Sequence, residues 1–296
     1  MTAFATIGFF DGVHRGHQFL ISRLAAMARE RGMESLVITF DRHPRQVVHA
    51  DYVPQLITPL DEKLRLLAAT GADQVATLHF DADMARLSAH DFMLEVLSRR
   101  YGVGALLIGY DNRFGHNRAE GFDDYAAYGR EMGIEVVSNT PVDVDGMRVS
   151  SSLVRRLLGE GDVAEANVCM GHCFAVEGRV EHGYEEGRRL GFPTANIARD
   201  CEEQIMPRHG VYVARISVEG GEWRRAMLNV GDNPTFSRQR TTLEAHIIGF
   251  DGNIYGRHVR MELLARLRDE RRFDSVEQLR LQLQRDREAT MAFDIR

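Results

Sequence analysis

An excess of positive charge, a long apolar run and a cysteine framework are all missing from this chain. Lysine and arginine number 37 against 43 aspartates and glutamates, a formal net charge of −6. That balance gives no general attraction to nucleic acid or to an anionic membrane, leaving only local basic pockets. No apolar run approaches the roughly 20 residues that a membrane-spanning helix needs. The three cysteines are Cys169, Cys173 and Cys201. The Cys169–Cys173 spacing has no second Cys/His pair of zinc-site spacing to complete it, which favours buried reduced thiols over a metal. The N-terminus lacks the basic, apolar and small-residue succession of a signal peptide, so the expected location is the cytoplasm. Repeats and low-complexity tracts are also missing. What remains is 296 residues, 44% hydrophobic, enough for two domains with separate cores.

Two rhythms divide the chain. Up to about residue 160, short apolar runs (Ala5–Phe9, Leu36–Phe40, Val75–Leu78, Ala105–Ile108, Ile134–Ser138) alternate with helical patterns (His17–Arg29, Asp61–Ala69, Ala89–Arg99, Asp123–Met132). This alternation predicts a parallel sheet wrapped by helices. From about residue 173, short strands follow one another: Phe174–Val180, Val211–Val218, Trp223–Val230, Leu243–Ile248 and Val259–Leu264. They predict a small antiparallel barrel, with Gly220-Gly221 as a hairpin turn and an amphipathic helix at Ser275–Phe293, carrying Leu279 and Leu283 on one side, to close it. The expected domains are 1–172 and 173–296.

Between the first predicted strand and its helix runs Gly8-Phe9-Phe10-Asp11-Gly12-Val13-His14-Arg15-Gly16-His17. Strand, glycine loop and helix N-terminus form a phosphate-binding arrangement, and two histidines three apart can both direct ring N–H groups at one phosphate. An ordinary helix entry and a metal site are the plainer readings; no carboxylate cluster stands beside the histidines to complete the latter. Further along come Thr39-Phe40-Asp41-Arg42-His43-Pro44, then Gly109-Tyr110-Asp111-Asn112-Arg113-Phe114-Gly115, then Ser150-Ser151-Ser152-Leu153-Val154-Arg155. Taken alone, the serines read as a helix N-cap and Asn112-Arg113 as a polar turn.

In the second half, Pro193 fixes the backbone between Phe192 and two oxygen-bearing side chains, Thr194 and Asn196, within Gly187–Asn196. Hydroxyl and carboxamide oxygens suit a hard cation that already carries phosphates, so the loop is a candidate seat for a Mg-nucleotide; a turn entering a strand is the plainer reading. Glu244 lies on a strand of alternating character and must face either a pocket or solvent, where Arg240 or His246 would pair with it.

The Gly187–Asn196 loop, with Gly183, Asn229–Phe236, Glu244 and Tyr255-Gly256, resembles the riboflavin kinase module. The N-terminal motifs resemble the nucleotidyltransferase superfamily in its FAD synthetase branch. Arg42 stands where that branch usually has Pro, Asn112 where Phe is common, and Ser152 where Thr is usual. The resemblance implies a Rossmann-like nucleotidyltransferase domain followed by a β-barrel kinase domain. It implies phosphorylation of riboflavin to FMN and adenylylation of FMN to FAD, with ATP as co-substrate and Mg²⁺ as cofactor. Carried over by motif, Thr194 and Asn196 hold Mg-ATP with Gly191 and Pro193, and Glu244 is the catalytic base. His14 and His17 stabilise the α-phosphate, with Gly8, Phe9, Asp11, Gly12, Gly16, Ser150, Ser151, Ser152 and Arg155 binding nucleotide or phosphate. Asp111, Asn112, Arg268, Glu270 and Phe273 are the implied flavin contacts. The implied partners are small molecules, with no nucleic acid, membrane or obligate protein among them. A kinase with an inactive nucleotidyltransferase half is the alternative. An RNA-acting enzyme of the tRNA-synthetase kind is opposed by the net acidity and the Pro-Thr-Ala-Asn loop.

Overall fold

A computed structural model describes residues 2–49, 51–109, 113–116, 119–139, 148–182, 187, 190–232 and 241–295. By internal contacts the chain divides into two compact units, Met1–Ser151 and Ser152–Arg296.

In the first unit, β1 (Ala3–Ile7), β2 (Glu34–Phe40), β3 (Gln74–Leu78), β4 (Val103–Ile108) and β5 (Glu135–Ser138) form one parallel sheet in the order β3-β2-β1-β4-β5. Alternation along each strand sends side chains to opposite faces. Phe4, Val37, Ala105 and Leu107 pack with Leu20, Ile21 and Leu24 of α1 (Arg15–Glu30), and with Leu67 of α3 (Leu60–Ala68), which follows the short α2 (Pro44–Val48). Ala5, Ile7, Ile38 and Leu106 face the other way, towards α4 (Ala82–Arg86), α5 (Ala89–Asp91) with its π-helical continuation Phe92–Arg100, and α6 (Phe122–Met132). Strand order reverses between β1 and β4, and in open parallel sheets ligands bind beyond the strand C-termini at such a point. The Gly8–His17 loop leaves the C-terminal end of β1. That strand begins two residues earlier than the apolar run suggested and ends at Ile7, where the Gly8 N–H still donates to Ile38 O at 3.0 Å before the chain turns away.

The division falls at the first residue of α7 (Ser151–Glu160), and the second unit continues through α8 (Val163–Met170). A closed barrel follows, built from β6 (Phe174–Glu181), β7 (Ala195–Arg199), β8 (Gly210–Val218), β9 (Arg224–Asp232), β10 (Thr241–Ile247) and β11 (His258–Arg268) in the order β10-β7-β6-β11-β8-β9. All pairings are antiparallel and closure leaves no sheet edge. Asn167 fastens α8 to the barrel, donating to Leu263 O at 2.8 Å and accepting from Phe174 N at 2.7 Å. The C-terminal helix α9 (Val276–Ala292) packs through the face that carries Leu279 and Leu283, both half-buried, and polar residues continue that face. Its buried residues are Asp286 and Thr290, and Asp286 accepts from Arg268 Nε and Nη2 at 3.0 and 2.8 Å. Arg225 Nη1 donates to the Thr290 and Phe293 carbonyls at 3.0 and 2.6 Å. Polar ties thus anchor this helix.

Candidate functional site

The loop after β1 carries unusual backbone. Phe10 and Val13 have φ of 54° and 36°, and Gly12 between them has φ of 80°. Positive φ at a β-branched valine costs on the order of 1–3 kcal/mol and persists only where the surroundings over-determine it. Here the surroundings are Asp11. Its buried carboxylate accepts from Ile57 N (3.0 Å) and Thr58 N (3.1 Å), while Gly12 N donates to Thr58 Oγ1 (3.1 Å). Ser151 Oγ donates to the Asp11 carbonyl at 2.9 Å. The Asp11 side chain therefore ties the loop to residues 57–58.

Held this way, the loop delivers the N-terminus of α1 with no carboxylate in its first turn to quench the dipole. His14 is the N-cap, its Nδ1 accepting from His17 N at 3.4 Å. An accepting Nδ1 places the ring proton on Nε2. The His14 and His17 rings stack at 3.6 Å and 19°, and Phe10 meets His17 edge-on at 5.2 Å. Burial above all, reinforced by repulsion whenever His14 takes up a second proton, holds His17 well below the usual histidine range, so it is neutral at neutral pH. Its Nδ1 is buried without a hydrogen-bond partner among the described residues. Gly8 and Gly16 bracket the loop. Phe9 packs against His43 with ring centroids 4.7 Å apart, which joins the Asp41–Pro44 turn to the same place. Ser150, Ser152 and Arg155 lie at the start of α7, Ser150 and Ser152 exposed and Arg155 half-buried.

In the barrel, Leu243, Ala245 and Ile247 point into the core, whereas Glu244 and His246 face away from it and are half-buried. Glu244 pairs directly with Asn196 of β7 on one side and Asn229 of β9 on the other. Side chains of directly opposed residues lie on the same face, their Cβ atoms about 5 Å apart. Asn229 Nδ2 donates to Glu270 Oε1 at 3.0 Å. A Cβ at Gly231 would meet that same carboxylate, so any larger residue there would displace the Glu270 side chain from this position. Register shifts in β11 between Leu263 and Ala265, and between Arg266 and Arg268, precede the segment that presents Glu270. His246 Nδ1 donates to Pro193 O at 2.8 Å and its ring meets Phe192 at 5.2 Å, fixing the loop that carries Thr194. Burial lowers the pKa of His246, against the upward pull of the Pro193 hydrogen bond. Exposed Gly191, with φ of 80°, makes the preceding turn. Arg268 is turned to Asp286 and lies over the ring of half-buried Phe273 at 5.9 Å.

Asn196, Glu244, Asn229 and Glu270 are thus grouped on one barrel face, with Thr194 two residues before Asn196, as are His14 and His17 at one helix end in the first unit. Asp111, Asn112, Gly183, Arg240 and the Asn233–Phe236 part of its motif lie outside the described residues. Lys63, buried beneath Phe9, and the His246–Pro193 contact have no local signal in the sequence. A cluster of metal-ligating type among the described residues, Glu177, Asp200 and His258, does not include Thr194 or Asn196. Those two offer neutral oxygens, a donor set that fits Mg²⁺ only when phosphates supply the charge.

The FAD synthetase family matches residues 1–153 and the riboflavin kinase family residues 170–293. A bifunctional riboflavin kinase/FMN adenylyltransferase of Escherichia coli K12 is 38% identical over 281 residues, covering 95% of this chain and 89% of its own length. One of the same name from Haemophilus influenzae is 34% identical over 288 residues, covering 97% and 93%. A crystal structure described as a macrolide-efflux protein from Streptococcus pneumoniae has a TM-score of 0.88 at 31% identity, covering 99% of this chain and 95% of its own. No helix among the described residues of the present chain is long and apolar enough to cross a membrane.

Proposed function

Because the chain belongs to the FAD synthetase family in its first half and the riboflavin kinase family in its second, we propose that it phosphorylates riboflavin to FMN and then adenylylates FMN to FAD. The observation that carries the kinase half is the direct pairing of Glu244 with Asn196. In this reading Glu244 accepts the proton of the ribityl 5′-hydroxyl as its oxygen attacks the γ-phosphorus of ATP and ADP leaves. Thr194 and Asn196 hold Mg-ATP, with Gly191 and Pro193 shaping the loop; when bound, Mg²⁺ neutralises phosphate charge. Glu270, fixed by Asn229, borders the flavin, and Arg268 and Phe273 support that segment against α9.

In the adenylyl-transfer half, a phosphate oxygen of FMN attacks the α-phosphorus of ATP and pyrophosphate leaves. The attacking group is already an anion, so no general base is needed. His14, donating through Nε2, and neutral His17 stabilise charge at the phosphorus, assisted by the α1 dipole and the amides of the Gly8–Gly16 loop. Asp11 acts by holding that loop. Ser150, Ser151, Ser152 and Arg155 are assigned to the pyrophosphate, and Asp111 and Asn112 to the flavin, on motif alone.

The functional modules proposed are 1–172 and 173–296, acting in the cytoplasm on riboflavin, FMN and ATP, without nucleic acid, membrane or an obligate protein partner. Incubating the chain with riboflavin, ATP and Mg²⁺ and separating the flavins by chromatography tests this. FMN followed by FAD is expected. FMN as the end product, with added FMN left unconverted, would leave only the kinase.

A further inference from the structure

Lys63 is the sole lysine of the chain; every other basic residue among the 37 is arginine. It sits on α3 and is 2% exposed. Its ammonium donates to Phe40 O at 2.8 Å and stands 3.9 Å from the centroid of the Phe9 ring. Phe40 ends β2 immediately before the Asp41–Pro44 turn, and Phe9 opens the loop that leads to His14 and His17. Thr39 Oγ1, next to Phe40, donates to Phe9 O at 3.1 Å, so the two segments already touch beside the lysine.

An ammonium has three donors, and among the described residues Lys63 has one hydrogen-bond acceptor, the Phe40 carbonyl. Burying a charge with so few partners is costly and calls for an explanation. The ammonium is a compact point charge held between a ring face and a carbonyl. A chain that uses arginine everywhere else keeps lysine at this position.

We propose that Lys63 is a positioning residue of the adenylyl-transfer site, its charge clamping Phe9 to Phe40 and so fixing the His14–His17 loop against the Asp41–Pro44 turn. The proposal rests on the adenylyltransferase reading given above. Burial pulls the Lys63 pKa down to about 8, with Asp11 and Asp41 pushing it back up. The other charged or titratable groups nearby are Arg42 and His79, both against Asp41, then His43, packed on Phe9, and Glu62 on the same helix, paired with Arg65. The clamp therefore loses its charge just above neutral pH.

The test compares FMN adenylylation and riboflavin phosphorylation by the full-length chain between pH 7 and 9.5. Wild-type kcat/KM for adenylylation is expected to fall roughly tenfold with a midpoint near 8, the size of a desolvated cation–π contact. Lys63→Met should be lower by about that factor at pH 7, with no such midpoint. Lys63→Gln, which keeps a donor for Phe40 O, should be intermediate and equally flat; riboflavin phosphorylation should be unchanged in both. The lone lysine gives one side-chain signal in a ¹³C-lysine-labelled sample, so its titration is read directly. Adenylylation by Lys63→Met within twofold of wild type, the same midpoint persisting in Lys63→Gln, or a lysine signal titrating at its ordinary value would each overturn the proposal. Should Lys63→Met fail to fold, Lys63→Gln and the signal decide. Wild-type protein that forms no FAD at all would instead refute the adenylyltransferase reading.

Discussion

Glu244 on β10 stands directly opposite Asn196 on β7, both turned away from the barrel core, with Asn229 on the other flank of Glu244. The carboxylate of residue 244 and the carboxamide of residue 196 thus share one surface although 48 residues apart in sequence.

Replacing Glu244 by Gln keeps the shape and hydrogen-bonding capacity but removes the proton acceptor. Riboflavin phosphorylation is expected to fall by about 10²–10⁴, the usual worth of a general base. Riboflavin and Mg-ATP binding should be near normal, and conversion of supplied FMN to FAD unchanged. Assaying both half-reactions on the one variant checks this, since retained phosphorylation would assign Glu244 to the surface.

His246 holds the Thr194 loop by one hydrogen bond to the carbonyl of exposed Pro193. His246→Leu should raise the KM for ATP in riboflavin phosphorylation by up to about tenfold, the worth of one such bond. Adenylylation of FMN in the same preparation should not change. An unaltered KM would show that the loop keeps its place without the histidine.

The two halves differ in how much of them can be read from the sequence. The strand, glycine loop and helix around His17 are legible because periodicity and turn chemistry are local. Lys63 is not, because Asp61-Glu62-Lys63 reads as a solvated charge run on an amphipathic helix; only the fold of β2 and the first loop over α3 buries it. The strand β7 is hidden for the opposite reason: Ala195–Arg199 is short, and Thr194 and Asn196 read as loop ligands. On α9 the spacing of Leu279 and Leu283 marks the packed face, but not that Asp286 is its deepest member, because its partner Arg268 takes its position only once the barrel closes.

Lys63 also ties stability to pH. Its folded pKa, about 8, lies below the ordinary 10.5, so between those values the unfolded chain binds the extra proton. Stability from this group therefore rises as pH increases through that window. Thermal unfolding of the N-terminal unit should shift in favour of wild type over Lys63→Met as pH goes from 8 to 10.5. A difference in melting temperature that stays constant across the window would contradict the depressed pKa.

Val163, Ala166, Cys169 and Met170 of α8 are buried, and Asn167 bonds two barrel strands. Residues 173–296 should fold and phosphorylate riboflavin, but with lower stability than 152–296, by several kcal/mol at about 1.5–3 kcal/mol per large buried side chain. Urea unfolding of the two fragments measures the difference. A soluble, folded 173–296 that binds no riboflavin would remove the kinase assignment.

If one chain carries two separate active sites, variants broken in different halves should complement one another. His17→Ala should accumulate FMN without FAD, since losing one donor to a developing phosphate charge costs about 10²–10³ in rate. Glu244→Gln should leave riboflavin unconverted. Mixed with riboflavin, ATP and Mg²⁺, the two variants together should form FAD that neither forms alone. A mixture of the two folded proteins that still yields no FAD would contradict the account.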